Sequence, residues 1–337
     1  MPDVIVGSPV LWGVTIAAVL VLVTLDFILT HRPHEVKMKE AVGWTIFYLT
    51  LPLLFGAWIW YAYGASPGLD FLTGFLVEKS LSVDNLFVFM LLLTAFAVPN
   101  ELRQRVLLFG VVGALVLRGV LIAIGAQMVE NLSFAFLIFG AILLLTAIKT
   151  LKDAMSADEE HIEVSEIGIV RFVRRFWPVT DAYHGTKMTV VANGKKALTP
   201  LALVVLAILS TDVIFAVDSV PAVYGITSDP YLVFATNAFA LLGLRALYFV
   251  LEGALGKLIH LGYGLAAILG FIGVKLVLHW AHGIWEWVPV VPTIASLAVI
   301  IGILVTVVIT SLVATRRQGD QDDEHVTLRG TIEEDDA

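Results

Sequence analysis

Long apolar runs, broken by short polar ones, set the pattern of this chain. Nine such runs emerge, at about 10–30, 41–63, 70–98, 106–129, 132–152, 198–225, 231–252, 257–280 and 287–313. Each reaches the roughly 20 residues that a helix needs to cross a bilayer. The pattern predicts an all-α polytopic membrane protein with about nine transmembrane helices. One connection, about 153–197, is long enough to be a soluble element. It opens acidic (DEEHIEVSE), turns basic (RFVRRFW) and reaches TKMTVVANGKKAL, where Asn193-Gly194 between β-prone residues predicts a small hairpin. Its basic part suits contact with anionic lipid at the cytoplasmic face, and its plainer reading is an ordered linker.

Two of the apolar runs carry charges that a lipid-facing helix would not. The third contains EKSLSVDNLF (residues 78–87) and the sixth STDVIFAVDSVP (residues 210–221). Set Glu78 over Asp212 and the same offset of 134 residues brings Asp84 onto Asp218 and Asn85 onto Ser219. Arg118 and Arg245 follow in the next span of each set, and Lys149 and Lys275 two spans on. Spans three to five therefore resemble spans six to eight. A shift of three spans, an odd number, inverts one copy relative to the other. Inverted repeats of this kind mark transporters, with the site near midplane where the copies meet. The chain divides into two N-terminal spans (1–69), a first three-helix repeat (70–152), the loop (153–197), a second repeat (198–280), a final span (281–315) and a tail (316–337).

A carboxylate at the centre of a membrane helix costs about 2.5–3.5 kcal/mol, so four cost on the order of 10 kcal/mol. Glu78, Asp84, Asp212 and Asp218 must face the protein interior or an aqueous cavity. Lys79, Arg118, Arg245 and Lys275 are the basic residues available to them within the spans. Glu78 and Asn85, seven apart, share a helix face, whereas Glu78 and Asp84 lie about 120° apart, as do Asp212 and Asp218. Either the members of each pair have different partners, or the helices break near 82–84 and 216–218. Pro221 favours a break in the sixth span: it has no N–H, which frees the Val217 carbonyl as a cation ligand. Ser219 offers a hydroxyl. Asn237 is either a further oxygen donor or helix-packing glue. Asp26, near the cytoplasmic end of the first span, reads as an interfacial residue.

Composition narrows the chemistry. Of 337 residues, 58% are hydrophobic and 15% charged, against about 25% charged in soluble domains. The absence of cysteine removes disulfides, thiolate metal sites and thiol redox chemistry. Oxygen donors of the carboxylate, carboxamide, hydroxyl and carbonyl types suit hard divalent cations such as manganese, magnesium or calcium, rather than copper or zinc. No nucleophile–base pair and no nucleotide motif appears, so neither an enzyme nor a nucleic-acid partner is expected. Lys and Arg gather in alternate loops and are missing near GASPGL, ITSDP and HGIWEW. That asymmetry predicts an external N-terminus and a cytoplasmic C-terminus. The N-terminal MPDVIVGSPVLWG lacks a basic n-region and a small-residue cleavage site, so the first run reads as a retained span. The net charge of −8 is concentrated in the tail, where eight acidic residues outweigh three basic ones and disorder is expected.

FLTGFLVEKSLSVDNLFVF, STDVIFAVDSVPAVYGITSDPYLVFATNAFALLGLRALYF and the loop with PVTDAYHG resemble the TerC/Alx family of bacterial inner-membrane proteins, over about residues 10–313. The resemblance implies a multi-pass protein of the bacterial inner membrane that exports manganese. It implies that Glu78, Asp84, Asn85, Asp212 and Asp218 bind the ion, with no resident cofactor. Tellurite, the oxyanion behind the family's name, would be repelled by four carboxylates. Two alternatives remain open: a transporter of calcium or a basic amino acid, and a membrane assembly factor that delivers metal to secreted enzymes. The partners implied are the cation, the lipid bilayer and a coupling proton or other cation, with protein partners undetermined.

Overall fold

A computed structural model describes residues 6–29, 37–132, 134–156, 168–180, 182–192, 195–252 and 260–335. For Leu29, Asp84, Ala192, Lys195 and residues 316–335 the description covers the backbone alone. The helices are α1 (Pro9–Leu29), α2 (Met38–Tyr63), α3 (Ala65–Ala95), α4 (Asn100–Asn131), α5 (Ala135–Met155), α6 (Gly168–Phe176), α7 (Pro200–Tyr224), α8 (Pro230–Leu242), α9 (Leu244–Leu251), α10 (Leu261–His282) and α11 (Thr293–Asp335). Each apolar run predicted above falls on one helix, apart from 231–252, which falls on α8 and α9 together.

Among the described residues, seven helices are long and apolar enough to cross a membrane, or eight if α8 and α9 count as one span bent by 44°. The expected nine differs from this by α3. That helix has 31 residues, about 46 Å at 1.5 Å per residue, but Asp70, Glu78, Lys79 and Asp84 lie along it. The helices also differ in how deeply they sit. Half of the apolar window of α7 and of α10 is buried, against 17% for α1 and α11. The first two therefore lie inside the bundle and the last two at its lipid-facing edge.

Of the two alternatives, the breaks near 82–84 and 216–218 do not occur, and α3 and α7 are helical throughout both stretches. Pro221 lies within one turn of the end of α7, where its only cost is the bond to Val217, and Gly225 N–H closes the helix on the Pro221 carbonyl at 2.9 Å. The interrupted span is the next one. Gly243 separates α8 from α9, and a Cβ there would meet Tyr48 Cβ at 2.8 Å and Lys79 Nζ at 3.2 Å. The Tyr48 contact is the limiting one, and it requires glycine for α2 to approach the bend so closely.

α5 packs along α10, α4 lies against α7 and α8, and α3 lies against α7 and α8. In the α5–α10 seam a Cβ on Gly140 would sit 3.0 Å from the Gly273 carbonyl, so the two backbones nearly touch. Small residues that let helices meet this way are a common device in membranes. Three buried apolar clusters result. One joins α3, α4, α6 and α7, one joins α5, α7 and α10, and one joins α1, α2 and α8.

The loop contains the expected hairpin. β1 (Thr189–Ala192) pairs antiparallel with β2 (Lys195–Leu198), from Thr189 opposite Leu198 to Ala192 opposite Lys195. The Asn193-Gly194 turn and most of the acidic stretch lie outside the described residues. Thr180 N–H and Leu198 N–H bond across to Leu198 and Pro178 carbonyls, each at 2.9 Å. Tyr183 donates its hydroxyl to the Phe96 carbonyl at the end of α3, 2.8 Å away. Burial pushes that phenol up to about 12, so it stays a donor at physiological pH. The basic stretch is more than a linker, since it forms α6. The tail, expected to be disordered, is helical as far as Asp335 as a continuation of α11. No proline interrupts α11, and extending a formed helix needs no new nucleus.

Candidate functional site

Four helices bring one polar group each to a common point, near the middle of the spans. α3 contributes Glu78, α4 Arg118, α7 Asp212 and α8 Asn237. The Arg118 guanidinium holds them together. It makes an ion pair with Glu78 through Nη1, meets Asp212 Oδ1 at 3.2 Å through Nη2, and donates from Nη1 to Asn237 Oδ1 at 3.1 Å. Asn85 joins when its amide oxygen faces Nη2, also at 3.1 Å, with its nitrogen then donating to the Leu81 carbonyl. Asn237 is fixed in turn by its donation to the Val233 carbonyl at 3.0 Å. Glu78 is 0% exposed, and Arg118, Asp212 and Asn237 are each 1% exposed.

The local sequence explains how these groups converge. Glu78, Ser82 and Asn85 recur at i, i+4 and i+7 and so share one face of α3. Asp212 and Ser219 do the same on α7. Gly74, one turn before Glu78, allows close approach, since a Cβ there would sit 3.1 Å from Thr236 on α8 and 3.3 Å from Val223 on α7. Two carboxylates and one guanidinium leave this group with a net charge of −1. Asp212 Oδ2, Ser82 Oγ, Ser219 Oγ and Arg118 Nε are buried without a hydrogen-bond partner among the described residues. Buried polar atoms are almost always satisfied, so the centre holds oxygen acceptors beyond those Arg118 uses.

The side chain of Asp84 lies outside the described residues. Asp218 is half-buried, further along α7 and turned from Asp212, as six residues of unbroken helix require. The Val217 side chain is 47% exposed, on the outer face of α7. Among the described residues no three aspartate, glutamate or histidine side chains converge as a metal-binding group. Arg245, grouped with the carboxylate site by its position in the second repeat, serves another centre. It pairs with Asp26 at 2.9 Å and donates to Gln104 Oε1 at 3.1 Å. Asp26 is thus a buried ion-pair partner, 4% exposed, and not an interfacial residue. The 219 residues that separate it from Arg245 leave no local signal, and Gln104 carries none either.

Lys79, next to Glu78, points elsewhere. Its ammonium donates to the Ala240 carbonyl at 3.1 Å, at the C-terminal end of α8. The bend at Gly243 takes that carbonyl out of the regular helical ladder, and a cation at a helix C-terminus is favourable in any case.

These features define a polytopic helical membrane protein with a buried, charged centre between its inner helices. Residues 63–319 match the integral membrane protein TerC family, and the chain belongs to that family. It is 39% identical to an uncharacterized membrane protein of Myxococcus xanthus, over 94% of this chain and 96% of that one. It is 40% identical to the Escherichia coli (strain K12) protein provisionally called membrane-bound redox modulator Alx, over 89% and 93% of the two chains. A membrane protein of Mycobacterium bovis is 39% identical over 82% of this chain and 70% of its own. No solved structure matches.

Proposed function

We propose that this protein is a secondary transporter that exports divalent metal cations, manganese foremost, through the centre formed by α3, α4, α7 and α8. The observation that carries this reading is the meeting of Glu78 and Asp212. They stand 134 residues apart, at matched positions of the two candidate repeats, and share one buried guanidinium. The surrounding donors are oxygens of the kind that hard dications take.

The helix contacts support the repeat. Exchanging α3 with α7, α4 with α8 and α5 with α10 turns the α4–α7 contact into the α8–α3 contact and the α5–α7 contact into the α10–α3 contact, and all four are present. The pairs α3–α7, α4–α8 and α5–α10 map onto themselves and are present too. In this reading the chain crosses a bacterial inner membrane nine times, with α3 among the spans, the N-terminus outside and the C-terminus in the cytoplasm.

In the same reading Arg118 is a tethered cation that holds the centre in the empty protein. An entering dication displaces it from Glu78 and Asp212 and takes up Asp212 Oδ2, the Asn85 and Asn237 amide oxygens and the Ser82 and Ser219 hydroxyls in addition. Asp218 lines the route further along α7, and Asp84 holds the matched sequence position in the first repeat. An inside-negative membrane opposes outward dication movement by about 2 × 2.3 kcal/mol per 100 mV. Inward movement of two protons, or of another cation, cancels that opposition. No resident cofactor and no catalytic step is part of the mechanism. The Alx relatives are named for redox modulation; this chain has no cysteine, so a redox role of its own would not run through thiols.

The test is purified protein in proteoliposomes. Manganese movement should accelerate under an opposing proton gradient, and manganese should drive protons the other way. A folded protein that moves no manganese, calcium or magnesium would overturn the reading in favour of an assembly factor. Transport that ignores every gradient but that of manganese would make the protein a channel.

A further inference from the structure

The helix α6 has three sectors. Val170 and Val173 are 1% and 5% exposed and pack into the apolar cluster with Phe96, Leu102, Leu201 and Val204. α6 packs against α7, and Val179, just past its end, bridges to Leu198 directly before α7 begins, so α6 lies beside the end of a membrane helix. At about 100° per residue, Phe172 and Phe176 occupy the next sector. They are 56% and 62% exposed with ring centroids 4.9 Å apart, and Trp177 follows at 57%. Arg171, Arg174 and Arg175 fill the remaining arc. All three are exposed, with no ion pair among the described residues, and the helix GIVRFVRRF contains no acid.

We propose that α6 is an interfacial anchor that binds anionic phospholipid at the membrane surface. Its aromatic sector seats at the boundary of headgroups and acyl chains, and its arginines reach phosphate oxygens. The valine sector fixes the helix beside the end of the spanning helix α7, which sets it close to the membrane surface. Exposed aromatics flanked by arginines match that surface in both polarity and charge. The long arginine stems reach sideways to the headgroups while the rings go deeper. A soluble acidic partner would satisfy the arginines but would leave the aromatic sector uncovered at a lipid boundary. The anchor would hold the hairpin, and with it the entry to α7, at a fixed height. Three arginines at roughly fivefold each give about a hundredfold preference for an anionic over a neutral surface.

The chain lacks cysteine, so single reporters are straightforward. Phe176→Cys, carrying an environment-sensitive fluorophore, is placed in full-length protein in nanodiscs of neutral lipid, or of neutral lipid with one third phosphatidylglycerol. A nitroxide near the headgroup of a lipid fraction serves as quencher. The expected result is strong quenching in anionic discs, weaker quenching in neutral discs, and loss of the difference at high salt or in the Arg171→Gln, Arg174→Gln, Arg175→Gln variant. A reporter at Val191→Cys on the hairpin, 74% exposed, should stay open to aqueous iodide in both. If the triple variant does not fold, the salt titration alone decides. Quenching at 176 by iodide but not by lipid nitroxide would overturn the proposal in favour of a solvent-facing or protein-binding helix. Equal lipid quenching in neutral and anionic discs would overturn the recognition of charge. Neither readout depends on transport.

Discussion

The sharpest prediction concerns Arg118→Gln. Arg118 is the one cation that contacts both Glu78 and Asp212 among the described residues, and glutamine leaves two buried carboxylates facing each other without it. Breaking a buried pair by removing one partner costs about 3–5 kcal/mol, so the empty variant should be less stable by that amount. If a dication must displace the guanidinium to bind, the wild type carries a penalty of similar origin in its affinity. Even 3 kcal/mol of that penalty corresponds to about a hundredfold in dissociation constant, at 1.4 kcal/mol per tenfold. Titration calorimetry and thermal unfolding of detergent-purified protein measure both quantities. The variant should melt lower without metal, bind manganese about a hundredfold tighter, and recover stability as manganese is added. Free guanidinium should compete with manganese in the variant and not in the wild type. A folded variant that binds manganese more weakly, with no competition from guanidinium, would refute the idea that Arg118 occupies the ion's place.

Glu78→Gln and Asp212→Asn should each abolish manganese flux in proteoliposomes by removing the charge that offsets a dication; wild-type flux in either would remove that residue from the site. Asp26→Asn should destabilise by about 3–5 kcal/mol through the stranded Arg245, yet leave manganese affinity in calorimetry unchanged, because that pair is separate from the centre at Arg118. Cysteines at Ser228 and Ala192 report topology: an impermeant maleimide should label Ser228→Cys in intact cells and reach Ala192→Cys only after lysis, and the reverse would invert the orientation.

Apolar runs predict helices well here because lipid leaves a chain no other way to satisfy its backbone. The hairpin was legible for a similar reason, since β-prone residues flank a strong turn. What sequence misplaced were features that depend on neighbours. Pro221 looked like a break, but near a helix end it costs one bond. Gly243 looks like any membrane glycine, and only the closeness of Tyr48 shows why glycine stands at the bend. The face shared by Glu78 and Asn85 is readable from spacing; Glu78 meets Arg118, and Asn85 does so when its amide oxygen faces the guanidinium. That Arg118 would gather groups from both halves while Arg245 turned to Asp26 could not be read, because their sequence contexts are alike and only packing separates them. The arginines of RFVRRFW read as suited to anionic lipid or as part of a linker, but the helix itself is not legible, since two buried valines in nine residues are too few to announce a helix face.

Glu78 and Lys79 are neighbours on one rigid helix, yet they hold different things. Glu78 grips the Arg118 centre, and Lys79 grips the Ala240 carbonyl at the bend between α8 and α9. The helix therefore works as a crank with two pins. A rotation of α3 that withdraws Glu78 from Arg118 also shifts Lys79 relative to the elbow. The buried centre and the bend of the neighbouring span are thus tied to adjacent residues of one helix.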